Sequence, residues 1–169
     1  MTQSIPDAIL RGSRGKRPPT RQPEERPRRT RRETAAVLGT IPLFEGFSKR
    51  HLDRLARETD ELSFDPGERI VEEKALGETL YVVLGGTAKV LRGGKTVGQV
   101  VPGDFFGELS AIDGGPRTAT VQAQTPMRVL RLFRHTLTDL LRDEPMVSLK
   151  LLDGMVRRFR QIQRPPLPV

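Results

Sequence analysis

The 169-residue chain has no cysteine, no tryptophan, a single tyrosine and only two histidines. Without cysteine it can hold no disulfide framework, no thiolate zinc site and no cysteine nucleophile. His51 and His135 stand 84 positions apart, so a histidine-rich metal centre or a Ser-His-Asp triad would have to be built on one lone residue. Both lie at or near predicted helix starts in polar surroundings and read as surface residues. No run approaches the ~18 apolar residues of a membrane span. The apolar patch Ile5 to Leu10 is interrupted by Pro6 and Asp7 and follows no basic segment, so it does not read as a secretory signal. These absences predict a soluble, cytoplasmic protein with no metal ligand set; a metal-dependent enzyme would need clustered histidines, so no enzyme, catalytic residue or cofactor is expected.

What is present is unevenly placed. Of the formal charge of +8, most lies at the start: residues 1–34 hold ten Lys/Arg against four Asp/Glu, and residues 35–169 hold 19 against 17. From Arg11 to Thr34 no residue is apolar, and five prolines fall within the first 27 positions. Such a stretch cannot bury enough surface to offset its ordering entropy, so residues 1–34 are expected to form a disordered basic arm. Residues 11–32 could neutralise several phosphates of a nucleic acid or an anionic surface, although no aromatic side chain is there to stack on bases. Residues 35–163 are expected to form one domain and 164–169 a Pro-rich tail.

Within the domain, Glu33–Leu38 reads as a short helix ended by Gly39, and Ser48 is an N-cap candidate for a helix whose apolar stripe is Leu52, Leu55 and Ala56. Between residues 60 and 133 the texture becomes short apolar or alternating runs: Leu62–Phe64, Ile70–Glu72, Thr79–Leu84, Ala88–Leu91, Thr96–Val101, Thr118–Ala123 and Met127–Phe133. Turn compositions such as Asp65-Pro66-Gly67, Gly85-Gly86 and Gly93-Gly94 separate them. Strands every 8–12 residues without long helices between them predict a mainly β fold, an antiparallel roll of jelly-roll type with flanking helices. Two helices follow, Arg134–Arg142 and about Pro145 to Gln163. The second carries Met146, Leu149, Leu152, Val156, Phe159 and Gln163 at helical spacing, a stripe that reads as core or dimer seam.

The segment richest in chemistry is Pro102-Gly-Asp-Phe-Phe-Gly-Glu-Leu-Ser-Ala-Ile-Asp-Gly-Gly-Pro-Arg-Thr-Ala-Thr-Val121. A short helix starting near Gly107 would present free backbone N–H groups from Leu109, Ser110 and Ala111, an arrangement suited to an anion. Gly107 would let a ligand approach the backbone closely. Arg117 stands nine residues after Glu108, and its guanidinium could return to the same anion with two donors.

These residues resemble the phosphate-binding cassette of the cyclic nucleotide-binding domain family, and residues of about 41–163 resemble the whole domain. Asp65-Pro-Gly-Glu68, Gly77 ahead of Thr79-Leu-Tyr-Val-Val-Leu-Gly-Gly86, and Gly103-Asp104 leading into Phe106-Gly-Glu-Leu109 carry the rest of the match. The resemblance implies a β-roll followed by a hinge helix and a lid helix. It implies that Glu108 accepts the ribose 2′-OH and Arg117 neutralises the cyclic phosphate. The N–H groups of Leu109, Ser110 and Thr118 would complete the phosphate cradle, with Gly107 and Ala119 beside them. Val90, Val97 and Val100 occupy positions that face the base in relatives, and the cluster Arg157-Arg158-Phe159-Arg160 could contact the purine. Thr118 directly after the arginine leaves cAMP and cGMP both open, with cAMP favoured as the commoner ligand of soluble bacterial relatives. Six residues follow Gln163, too few for a helix-turn-helix, so the expectation is a stand-alone sensor that signals to a protein effector. The alternative is a ligand-responsive regulator whose arm binds nucleic acid or an anionic surface.

Overall fold

The computed structural model describes residues 29–163; residues 1–28 of the predicted arm and the predicted tail 164–169 lie outside the described residues. The first helix, α1, spans Arg31–Leu38, so residues 31–34 belong to a helix and not to the arm, whose predicted boundary at residue 34 is corrected. The cause is a capping box: Thr30 accepts from the Glu33 backbone, and the Glu33 carboxylate returns to the Thr30 N–H at 2.7 Å. Gly39 ends the helix as expected. A single 3₁₀ turn follows at Pro42–Phe44, and α2 (Lys49–Leu55) is capped by Ser48, whose hydroxyl accepts from the His51 N–H.

Among the described residues, eight strands make up the roll: β1 (Thr59–Phe64), β2 (Arg69–Val71), β3 (Thr79–Gly85), β4 (Ala88–Arg92), β5 (Lys95–Val100), β6 (Phe105–Phe106), β7 (Thr120–Ala123) and β8 (Met127–Phe133). They form two four-stranded sheets ordered β1-β8-β3-β6 and β2-β7-β4-β5, and every pairing is antiparallel. The seven predicted runs all become strands, with Thr118 and Ala119 left outside β7. Phe105–Phe106, not predicted as a strand, adds β6 beside β3.

The central strands are buried on both faces, which is why Thr79–Leu84 reads as a nearly continuous apolar run instead of an alternation. Tyr81, Val83, Met127 and Val129 point into the space between the sheets together with Val100, Phe106 and Val121. Leu80, Val82, Leu130 and Leu132 point the other way, against helices that contribute Leu38, Phe44, Leu55, Leu137, Val147 and Leu151. The remaining helices are α3 (Glu108–Asp113), α4 (Arg134–Asp143) and α5 (Pro145–Gln163).

One expectation about α5 is corrected. Met146, Leu149, Leu152, Val156 and Phe159 are exposed and lie outside the core; the face packed on the domain is Val147, Leu151 and Gly154. The side chain of Lys150 helps to set this rotation by donating to the carbonyls of Pro42 (2.8 Å) and Glu45 (3.1 Å). Leu152, Val156 and Phe159 of the stripe consequently turn toward a cavity at the surface of the roll.

Candidate ligand site

The chain leaves β6 through Gly107, which has φ of 81° and serves as the N-cap of α3. A side chain there would be strained by this left-handed backbone and would place a Cβ 2.5 Å from Arg117 Nη1 and 2.7 Å from the Thr79 carbonyl oxygen. Glycine therefore brings the start of α3, the end of the preceding strand and the arginine into one small volume. Glu108 and Ser110 on this turn are buried. The N–H groups of Leu109 and Ser110 have no backbone acceptor among the described residues, whereas the Ala111 N–H is taken by the Gly107 carbonyl at 3.1 Å. Of the three N–H groups expected to be free at this helix start, Ala111 is therefore not free, because the first helical hydrogen bond already uses it.

Arg117 is only 6% exposed. Its Nη1 donates to the carbonyls of Thr79 (2.8 Å) and Gly107 (2.9 Å), and its Nη2 donates to the Thr79 hydroxyl (2.8 Å). Of the five N–H donors of a guanidinium, this leaves Nε–H and one Nη2–H. Burial pushes the Arg117 pKa down from its ordinary value, and the nearby Tyr81 and Glu108 oppose that shift. An arginine nevertheless stays charged in such surroundings. The result is a buried cation in a fixed rotamer, held by neutral oxygens and not by a carboxylate.

Glu108 is likewise 6% exposed and does not pair with Arg117. Its partner comes from α5: Arg158 Nη1 donates to Glu108 Oε1 at 2.8 Å, and Arg158 Nη2 donates to the Phe105 carbonyl. The Arg158 guanidinium lies 4.7 Å from the centre of the Phe105 ring. A buried carboxylate at the start of α3 and the last helix are in this way joined directly.

Both charged groups border one cavity of about 600 Å³, within the usual size of a small-molecule site. Every candidate residue from the sequence lines it: Gly107, Glu108, Leu109, Ser110, Arg117, Thr118, Ala119, Val90, Val97 and Val100. So do Leu152 and Val156 of the α5 stripe and, beyond the candidates named from the sequence, Val71, Arg92, Gln99, Phe106 and Val121 from the roll and Met155 from α5. Of the cluster Arg157–Arg160, it is Arg158 and Phe159 that reach the cavity. His51 and His135 lie elsewhere; the first pairs with Glu144 and the second stacks on Phe133. Among the described residues no group of His, Cys, Asp and Glu is placed to hold a metal ion, and no helix is long and apolar enough to cross a membrane.

The cavity of this β-roll, with one buried carboxylate, one buried guanidinium, free amides and an apolar wall bordered by α5, has the chemistry to hold a small anionic ligand with a polar and an apolar end. The model of the Cyclic nucleotide-binding domain matches residues 61–144. A solved cyclic nucleotide-binding domain from Methylobacillus flagellatus is 28% identical with a TM-score of 0.65, covering 78% of this chain and 79% of that one. The N-terminal domain of a transcriptional regulator from Streptomyces coelicolor is 33% identical with a TM-score of 0.57, covering 74% of this chain and 91% of that one. Among curated proteins, the CRP-like cAMP-activated global transcriptional regulator of Mycobacterium tuberculosis is 29% identical over 130 residues, 74% of this chain and 58% of its own length. The chain belongs to the cyclic nucleotide-binding domain family. It spans less than two thirds of the curated relative.

Proposed function

We propose that the protein senses a cyclic nucleotide, cAMP in preference to cGMP, and reports its presence through α5. The observation that carries this reading is that Glu108 and Arg117 are both 6% exposed, border the same cavity and are not paired with each other. Two buried opposite charges kept apart suit a ligand that presents an anion to one and a hydroxyl donor to the other. The cyclic phosphate meets the two remaining Arg117 donors and the Leu109, Ser110 and Thr118 amides. The ribose 2′-OH donates to Glu108, and the base lies along Val90, Val97 and Val100. Because the Glu108 carboxylate is shared between Arg158 and the ligand, ligand occupancy and the position of α5 are coupled by differential contacts. The chemistry needed is binding and displacement, with no bond made or broken, so the protein works as a receptor and not as an enzyme.

The test is calorimetry with cAMP and cGMP side by side on the wild type and on Arg117→Ala, with circular dichroism as a folding control. Binding by the wild type, loss of binding by the variant and unchanged spectra are expected. Equal affinity in the variant, or no binding of either nucleotide by the wild type, refutes the reading. A second reading follows the M. tuberculosis relative, a cAMP-activated transcriptional regulator: basic residues 11–32 would hold nucleic acid. It requires DNA affinity that falls steeply with salt and drops sharply when residues 1–28, which carry seven of the ten Lys/Arg of residues 1–34, are deleted.

A further inference from the structure

Glycine is the poorest helix former after proline, yet Gly154 occupies the tenth position of the 19-residue α5. It is buried. A Cβ at that point would lie 2.5 Å from Cζ and 2.9 Å from Cε1 of Phe105. The ring of Phe105 therefore sits in a notch in the helix that only glycine provides. Phe105 has little freedom to withdraw, since its backbone is paired with Val82 of β3 and its side chain is 7% exposed. One helical turn further along the same face stands Arg158, which covers the ring and reaches Glu108 and the Phe105 carbonyl.

We propose that Gly154 is a positioning residue for the ligand cavity. The notch sets how deeply α5 docks on the roll, and that depth places Arg158 on Glu108 and the side chains of Leu152, Val156 and Phe159 along the cavity. The idea rests on the ligand reading above for its functional consequence, but not for its structural one. A methyl group at residue 154 pushes the helix outward because the obstacle is a ring fixed in a strand. The same methyl group favours the helix itself, so helix propensity and docking change in opposite directions, which a merely structural role for residue 154 would not produce.

The absence of native cysteine makes the test direct. Spin labels at Lys95→Cys on β5 and Arg157→Cys on α5, both exposed positions, report the separation of helix and roll in ligand-free protein. Gly154→Ala is expected to keep its helical circular dichroism and to move the label distance outward. It is also expected to weaken cAMP binding about tenfold, because Leu152, Val156 and Phe159 retreat from the cavity wall and their apolar contact with the ligand is lost. Adding Phe105→Leu, which empties the notch, should return both readouts toward the wild type. An unchanged label distance in Gly154→Ala, or a double variant that stays open, overturns the notch. An outward shift with unchanged cAMP affinity overturns its link to the cavity. Failure of the wild type to bind cAMP removes the ligand reading alone, and the label distances still decide the notch.

Discussion

The contact between Glu108 and Arg158 is the only charged link from the cassette to α5 among the described residues, and its strength can be worked out. Arg158→Met removes the donor but keeps an apolar stem over Phe105; Glu108→Gln removes the charge but keeps the size. The two side chains are 34% and 7% exposed and meet at 2.8 Å. A hydrogen bond to a charged group contributes about 1.5–3 kcal/mol and an exposed ion pair about 0–1, so a one-third exposed arginine suggests a coupling of about 1 kcal/mol. For a domain of this size Glu108→Gln should then lower the thermal midpoint by about 4 °C. Arg158→Met should do more harm, because it leaves a buried carboxylate without its cation. The assay is a double-mutant cycle in thermal or urea unfolding of the ligand-free protein. A coupling below about 0.3 kcal/mol, the usual scatter of additive sites, would refute the claim that α5 is tied to the cassette through this pair.

Other expectations follow from individual residues. Gly107→Ala forces a side chain into φ of 81° and against Arg117 and the Thr79 carbonyl, and should lower stability by about 2–3 kcal/mol in chemical unfolding as well as weakening cAMP binding; a stable variant with intact affinity would contradict the tight approach. Leu132→Ala, at a fully buried position beneath the helices, should destabilise by about 3 kcal/mol without altering the affinity of the folded fraction. The Glu33 carboxylate, held by the Thr30 backbone and hydroxyl, has its pKa lowered from 4.5. Its contribution to the cap is thus present above that value and lost as pH falls through the lower, folded one. An NMR titration placing the Glu33 midpoint at or above 4.5 would contradict the capping box.

Much of this architecture is legible in the chain because the relevant signals are local. Met127–Phe133 and Thr79–Leu84 are long enough to show strand character, and Ser48 and Gly39 mark helix ends in the way their side chains dictate. The two-residue strand Phe105–Phe106 offers no periodicity; it exists because Tyr81 and Val82 present a free edge. The start of α1 is hard to read because the arginines around Thr30 and Glu33, which spell a capping box, favour a solvated arm. The stripe on α5 misled for a different reason. Helical spacing shows which residues share a face but not which face docks, and here a notch at Gly154 and the reach of Lys150 outweigh five large apolar side chains. In the site, Glu108 and Arg117 were readable from spacing and family resemblance. The pairing of Glu108 with Arg158, fifty residues away, depends on how α5 is rotated and could not be read from the order of residues.

In the proposed site a cyclic phosphate lies between the start of α3 and Arg117. The most direct measurement is a ¹H–¹⁵N titration of the wild type with cAMP. The amides of Leu109, Ser110 and Thr118 should shift most, that of Ala111, already bonded to Gly107, less, and resonances along α5 should move with them. Shifts confined to other parts of the protein, or no shifts at saturating cAMP, would contradict it.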